Sequence, residues 1–424
     1  MSGHRSHITT DAAPTKGGGC PVDHSALGAA SDGHHGYQPF EMADPFPAYA
    51  RMRAEEPVMY DERIGYWVVT RWADVRAVFD DWETFSSENA QAPVRERGPE
   101  ATQIMKEGGF TAYSGLSARV PPDHTRIRAI AQRAFTPRRY KALKPAIREN
   151  TRRALQHMLD SPDHTGDFLA DVAFDIPTMV PTYKRWSDSR AAMTWGDLSD
   201  QEQIPHAHNL VEYWQECQRL VVAAHRAGGD DLIADLVSAQ DGGAEITDHE
   251  IASLCYSLLF AGHETTTTLI ANSIRVLLSH REAWEELVAD PSRIPAAIDE
   301  VLRYSGSIVA WRRKALKDAE IGGVAIPAGA NVLLVMGSAN RDESVFADPE
   351  VFDIDRSDAR NHMSFGYGIH YCLGNMLAKL QDRIVLEETI AAVPSLRLRE
   401  DAEIGFRENL SFRVPTSVPV TWEA

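Results

Sequence analysis

The stretch FGYGIHYCLGNMLAKLQ, Phe365 to Gln381, sets Gly366, Gly368, Cys372 and Gly374 close together and then runs into a helix pattern whose apolar positions include Met376, Leu377 and Leu380. Glycines at this spacing permit a tight loop and a close approach of backbone to a flat ligand. Cys372 then falls at a helix N-terminus, where unpaired amides and the helix dipole favour a thiolate. Such a thiolate is a metal ligand or a nucleophile. A nucleophile needs a base; His370 is two residues away, but in a tight turn the two side chains need not meet, so a cysteine hydrolase built on Cys372 and His370 is the weaker reading. Zinc would need three further ligands nearby, which this stretch lacks. Iron in a haem needs only one protein ligand from such a loop.

The ten-position pattern Phe-Gly-x-Gly-x-His-x-Cys-Leu-Gly, residues 365–374, resembles the proximal haem loop of the cytochrome P450 haem-thiolate monooxygenases. The resemblance implies haem b with Cys372 as the axial thiolate ligand, His370 against a propionate, Phe365 beneath the thiolate and Gly366, Gly368 and Gly374 shaping the loop. It runs from about residue 37 to 424 and implies a mainly α fold with a smaller β lobe. The haem would lie between a distal helix at about 248–279 and the Cys loop at 365–374. It also implies one domain over 37–424, where chain length alone favours two lobes.

A second stretch, LLFAGHETTTTLI from Leu258 to Ile270, puts a carboxylate and four threonines inside an otherwise apolar helix pattern. At 3.6 residues per turn Leu258, Ala261, Gly262, Thr265 and Leu269 share one face, which would lie on the haem. Gly262 removes a side chain there, and the Thr265 hydroxyl can bond the carbonyl of Ala261 one turn back and loosen the helix ladder. Glu264 is costly to bury ionised unless it exchanges protons or is hydrogen-bonded. The resemblance implies that Glu264 and Thr265 form an acid–alcohol pair delivering protons for O2 activation, while Thr266, Thr267 and Thr268 are packing positions.

His124 and Arg128 stand at i and i+4, one face of a helix, and resemble a propionate-holding pair. Arg313 resembles a third propionate contact, with Arg312 its neighbour. Glu300 and Arg303 resemble a buried structural pair; the third partner expected just before Phe352 is Val351 here, and Arg356 stands in its place. The resemblance places the substrate pocket against the 87–120 loop, Leu258, Ala261, Ile308, Val309, Leu410 and Phe412. These are mainly apolar, so a neutral hydrophobic or aromatic substrate is expected, with Arg95 or Arg97 available from the loop for an anionic one.

With 43 Lys and Arg against 61 Asp and Glu, the formal charge is -18, which repels nucleic acid and anionic membrane surfaces. Four scattered cysteines (Cys20, Cys217, Cys255 and Cys372) without a CxxC pair suggest neither a disulfide framework nor a zinc site. No leader and no run of about 18 apolar residues is seen, so a soluble, cytoplasmic protein is expected. Residues 1–36, rich in Gly, Ser, Ala and His, read as a disordered tail. Helix patterns follow at roughly 122–160, 205–227, 248–279, 283–289 and 294–304. Strands are expected in VMYDERIGYWVVTR, in AEIGGVAIPAGANVLLV and between Leu396 and Trp422; the 87–120 segment reads as a loop.

There is no Gly-rich dinucleotide fingerprint and no four-cysteine cluster, so the two electrons must come from outside. A ferredoxin or flavodoxin-like protein is expected to bring them from NAD(P)H. WRRKALKDAEIGG and ARNHMSFGYGIHYCLG also resemble the haem portion of self-sufficient fusions, whose flavin/iron-sulfur reductase is absent from this chain. Between His124 and Arg153 ten basic residues face one acidic residue, Glu149, a candidate dock for an acidic partner. The function implied is insertion of one oxygen atom from O2 into a small, apolar or aromatic organic substrate. Two readings stay open beside it: a peroxide-driven peroxygenase, which would not need the Glu264–Thr265 relay, and a haem-based sensor or gas-binding module.

Overall fold

The sequence pairs that alternate around a glycine turn do form strands, the first within a five-stranded sheet and the second as a two-stranded sheet of its own. In the structure, a computed structural model that describes residues 34–113, 115–177 and 181–423, Val58–Asp61 and Tyr66–Val69 pair antiparallel across Gly65, whose φ of 70° suits glycine. Tyr66–Val69 runs parallel to Asn331–Leu334, which pairs antiparallel with Trp311–Ala315, and Phe85–Ser86 closes the edge. Alternation along Trp311–Ala315 sends Arg312 and Arg313 to opposite faces. The hairpin Ala319–Ile321/Val324–Ile326 turns through Gly322 and Gly323, both at positive φ.

Helices make up the larger body, so the fold is mainly α with a smaller β portion. The helix Asp248–Ser279 runs through its middle, started by a capping box between Thr247 and Glu250. Apolar residues surround it, so it is buried on nearly all sides, packed against Asp200–Ala227, Pro181–Trp195 and Asn375–Ala392. Among the described residues no helix is long and apolar enough to cross a membrane.

Several expectations change. The run 122–160 splits into Asp123–Gln132 and Pro137–Leu159, because Thr136 caps the second helix through the Arg139 amide and Pro137 takes its first position. The 87–120 loop contains a helix, Pro99–Glu107, which buries Ala101 and Met105. Helices Pro181–Trp195 and Leu232–Asp241 were not legible as such. Leu396–Trp422 is mostly irregular: Arg397–Leu398 and Pro419–Thr421 join Thr165–Asp167 in a small sheet. The expected tail lies outside the described residues except for His34–Gly36, a short turn in which His35 meets Glu55 and Glu56.

Candidate active site

The cysteine loop is closed by its own backbone. The Cys372 amide donates to the Phe365 carbonyl at 2.9 Å, and the Asn375 side-chain amide donates to the Cys372 carbonyl at 2.7 Å. Gly366 and Gly368 sit at φ of 70° and 66°, and a Cβ at Gly368 would lie 2.9 Å from the Phe79 carbonyl oxygen, so no other residue fits there without movement. A Cβ at Gly374 would meet nothing within 4 Å, so this glycine faces open space. The Cys372 thiol receives the backbone amides of Gly374 and Asn375 and lies near Arg128. Burial nevertheless pushes it above its ordinary value, so desolvation outweighs the helix-end field on which a thiolate was expected. Coordination to a metal reverses that balance by deprotonating the thiol.

Four basic side chains gather beside this loop. The rings of His124 and His370 stand 4.3 Å apart, and Arg128 donates to the Tyr371 carbonyl at 2.7 Å. Arg313 lies over the Phe79 ring at 4.8 Å and donates to the Arg312 carbonyl. Its second terminal nitrogen, and Nε2 of His124, are buried without a partner. No ion pair among the described residues involves His124, Arg128, Arg313 or His370. Burial and mutual repulsion drive His370 down to about 2 and His124 to about 4, while burial alone takes Arg313 to about 9. Arg128 and Arg313 are thus the cations of the group and the two imidazoles are neutral, and cations withdrawn from water beside orphaned donors are stable only beside anions. Two propionates opposite a single thiolate supply them, so these residues fit haem. Arg312 does not join this cluster: its guanidinium donates to the Ala90 and Ala92 carbonyls on the other face of the strand.

The distal wall comes from the central helix. Between Glu250 and Leu278 only Ala261 and Gly262 are exposed, so the helix opens onto a cleft at one place. A Cβ added at Gly262 would meet nothing within 4 Å. The Thr265 hydroxyl donates to the Ala261 carbonyl at 2.7 Å, and the Thr265 carbonyl accepts from the Ser307 hydroxyl at 2.8 Å. Leu258 is half-buried at the same wall, whereas Leu269, expected on this face, is 1% exposed and belongs to the core beyond it. Glu264 turns away from the cleft toward the helix Pro181–Trp195 and the C-terminal segment. Arg407 reaches it at 3.8 Å and also pairs with Asp188 at 3.1 Å, and Lys184 pairs with Asp188 at 2.6 Å. Burial, reinforced by Asp188 and opposed by Arg407, raises the Glu264 carboxyl to about 7. Sequence reading missed Asp188 and Arg407 because nothing local ties either to Glu264.

Of the pocket residues, Ile308 bridges Phe412, and Phe412 packs with Trp195, Phe260 and Trp311, the Trp195 ring 4.8 Å away. Val309 and Leu410 are both 1% exposed; Leu410 lies in a core cluster with Tyr49 and Val68 rather than against open space. The anionic-substrate candidates also move. Arg95 pairs with Asp197 at the surface and Arg97 is exposed. Two buried arginines take their place. Arg190 donates to the Tyr256 carbonyl at 2.6 Å and to Gln91 Oε1 at 2.9 Å, between the rings of Tyr256 and Phe260. Arg312 lies against Trp195. Neither takes part in an ion pair among the described residues, and Arg312 Nε, Trp195 Nε1 and Ser257 Oγ are buried without partners. Ser257 sits one helical turn before Ala261, about 6 Å along the axis.

Glu300 and Arg303 are both fully buried and joined by two bonds of 2.7 Å, and Arg356 Nε reaches the same carboxylate at 3.4 Å. The basic stretch from His124 to Arg153 is less open than its composition suggests. Arg126, Arg139, Arg148 and Arg152 each pair with carboxylates of the chain, and Arg128 serves the cluster above. Arg133, Arg138, Lys141 and Lys144 remain exposed.

Residues 195–392 match the family model described as Cytochrome P450. Nocardicin C N-oxygenase of Nocardia uniformis subsp. tsuyamanensis is 35% identical over 399 residues, 89% of this chain and 96% of that protein. The solved structure of cytochrome P450 CREJ in complex with (4-ethylphenyl) dihydrogen phosphate is 71% identical, with a TM-score of 0.91 over 92% of this chain and all of that one. Full-length CYP116B46 from Tepidiphilus thermophilus is 32% identical with a TM-score of 0.87, covering 91% of this chain and 53% of that one.

Proposed function

The chain belongs to the cytochrome P450 family, and on that premise we propose that it hydroxylates aromatic substrates bearing a phosphate, of the 4-alkylphenyl phosphate class. Its class of chemistry is that of an oxidoreductase, a monooxygenase. Haem bound through Cys372 supplies the redox chemistry that activates O2 with two electrons. Arg128 and Arg313, cations with no ion pair among the described residues, would hold its propionates together with the neutral imidazoles of His124 and His370. NAD(P)H is the proposed electron source, through a ferredoxin- or flavodoxin-like partner that docks on the exposed Arg133, Arg138, Lys141 and Lys144.

The observation that carries the substrate class is the pair of buried guanidiniums, Arg190 and Arg312, beside an aromatic cluster with no carboxylate among the described residues paired to either. An uncompensated buried charge costs several kcal/mol, roughly the amount an anionic ligand returns. The orphaned Ser257 hydroxyl sits one turn before Ala261 on the distal helix, and Arg190, bonded to Gln91, donates to the carbonyl of the neighbouring Tyr256. A phosphate held there puts the far end of a phenyl ring near the exposed Ala261–Gly262 floor, and an aryl phosphate of this kind is the ligand of the CREJ complex.

Within this reading Glu264 keeps an exchangeable proton near neutral pH and draws it from the Asp188–Arg407–Lys184 network. The Thr265 hydroxyl, held on the Ala261 carbonyl, borders the cleft where that proton is needed. The aromatic wall of Trp195, Phe260 and Phe412 excludes water from the ring. The test is an optical titration of the ferric holoprotein. 4-Ethylphenyl phosphate is expected to move the Soret band at concentrations where 4-ethylphenol does not, and Arg190→Leu is expected to weaken the phosphate ester at least about tenfold. Equal affinity for ester and phenol in the wild type would overturn the substrate class and leave the family intact.

A further inference from the structure

A second group of arginines, poorly matched by carboxylates, lies away from the cofactor cleft. A cavity of about 490 Å³ opens between the helix Phe46–Glu55, the last turns of Asp248–Ser279 and the end of Ile294–Ser305, and Arg275, Arg341 and Arg413 line it. Their donors are only partly used. Arg413 binds the Met42 and Ala43 carbonyls at 2.8 and 2.6 Å, and Arg341 binds the Tyr304 carbonyl at 2.9 Å. Arg275 and Arg413 both donate to the Ser305 hydroxyl, at 2.7 and 3.1 Å, so its oxygen serves two cations while its proton goes to no described residue. Arg341 Nε is buried and has no partner among the described residues.

Carboxylates do not balance these charges. Glu350 pairs with Arg341 from a half-exposed position, and Asp44, exposed at the rim, makes no ion pair among the described residues. Among the described residues Arg275 and Arg413 make no ion pair, Arg413 sensing only the field of Asp44 at the exposed rim, and burial together with repulsion among the three arginines lowers Arg275 to about 10 and Arg413 to about 9. Aromatic faces hold two of the guanidiniums in place: Arg341 lies 3.5 Å over Phe46, and Arg413 lies 3.9 Å over Phe406. Preorganised, desolvated guanidiniums around a roomy cavity, with a free hydroxyl proton among them, make a receptor for a tetrahedral or planar oxyanion.

We propose that this cavity is a second binding site, for a small phosphate-class oxyanion, held by Arg275, Arg341, Arg413 and the Ser305 hydroxyl. The site is tied to the distal wall through backbone. The Arg413 amide donates to the Ser307 carbonyl at 3.0 Å, and Ser307 Oγ donates to the Thr265 carbonyl. Arg413 also directly follows Phe412, a wall of the substrate pocket. An occupant would therefore brace the segment that carries that wall.

The experiment is calorimetric titration of inorganic phosphate into the holoenzyme and its variants, with acetate and sulfate at matched ionic strength as the other oxyanions. Because phosphate would also enter the proposed substrate pocket, the comparison is between Arg190→Leu and Arg275→Gln. Phosphate binding is expected to persist in Arg190→Leu. In Arg275→Gln this remaining site should weaken at least about tenfold, with the Soret response to 4-ethylphenyl phosphate unchanged. Phosphate binding lost in Arg190→Leu and kept in Arg275→Gln would overturn the second site while supporting the first. Wild-type crystals soaked in tungstate, a heavy phosphate analogue, decide the matter if Arg275→Gln misfolds: a peak among the three guanidiniums supports the site, and none overturns it.

Discussion

Replacing Glu300 with leucine should destabilise this protein more than almost any other single change behind the cofactor loop. The carboxylate accepts two 2.7 Å bonds from Arg303, one from the Asp353 amide at 3.0 Å and a longer one from Arg356 at 3.4 Å. Arg356 has a second carboxylate, Asp358, at 3.7 Å. Arg303 has none. Without Glu300 its fully buried guanidinium keeps only the carbonyls of Asn340, Pro349 and Val351. Leaving one charge of a buried pair uncompensated costs about 3–5 kcal/mol. With an unfolding entropy of about 2.1 cal/mol/K per residue over roughly 390 folded residues, that lowers the melting midpoint by about 4–6 °C. The assay is a double-mutant cycle by urea unfolding of the holoprotein. Arg303→Met alone strips the Asn340 and Pro349 carbonyls of a donor, and combining it with Glu300→Leu adds no stranded charge. The double variant should thus cost about 3 kcal/mol less than the sum of the singles. Costs that add to within about 0.5 kcal/mol would refute the reasoning. Arg360→Ala is the control. Arg360 pairs with Asp299 on the same helix at 3.2 Å but is 82% exposed, so its loss should cost under about 1 kcal/mol.

Thr265→Ala removes the bond to the Ala261 carbonyl, and it should uncouple electron use from product, read as hydrogen peroxide released per NAD(P)H consumed; unchanged coupling would move the relay elsewhere. Glu264 binds its proton up to about pH 7 in the folded chain but releases it near its ordinary 4.5 when unfolded, so its contribution is fully present below about pH 4.5 and is lost as pH rises through 7. Glu264→Gln should flatten that part of the stability profile between about pH 5 and 8, and a retained slope would assign it to another group. Charge reversal at Arg138 and Lys144 should slow reduction by an acidic ferredoxin, most at low salt, while leaving the substrate-induced Soret shift intact; equal loss of both would sink the docking surface.

Local chemistry was legible and tertiary chemistry was not. The loop around Cys372 could be read because each constraint acts over a few bonds: positive φ at Gly366 and Gly368, one amide–carbonyl closure, a helix starting at Asn375. The pairs His124/Arg128 and Glu300/Arg303 could be read because helix geometry fixes their spacing. Helix Pro99–Glu107 escapes sequence reading for an instructive reason. Gly98, Pro99 and Gly108 look like loop signals, yet they stand at its N-cap, first turn and C-cap, the places where those residues mark a boundary. The partners that define the substrate wall lie 99 residues apart for Arg190 and Gln91 and 222 for Arg312 and Ala90. No periodicity carries that information.

Arginines in the interior of this chain differ in whether a carboxylate meets them, with Arg341, paired with Glu350 yet lining the outer cavity, between the two cases. Arg303 and Arg356 share Glu300, and the half-buried Arg407 lies between Asp188 and Glu264: each is neutralised from within. Arg313 at the cofactor cleft, Arg190 and Arg312 at the aromatic wall, and Arg275 and Arg413 at the outer cavity have no carboxylate partner among the described residues. This happens in a protein of net charge -18, where acidic side chains are in excess. A chain so rich in carboxylates would neutralise a structural arginine cheaply, because an unpaired buried charge costs several kcal/mol. On the readings proposed above, withholding them leaves three cationic sites open to anions from outside: propionates at the first, an aryl phosphate at the second and a small oxyanion at the third. The charge the protein leaves unbalanced in its interior thus marks where ligands complete it.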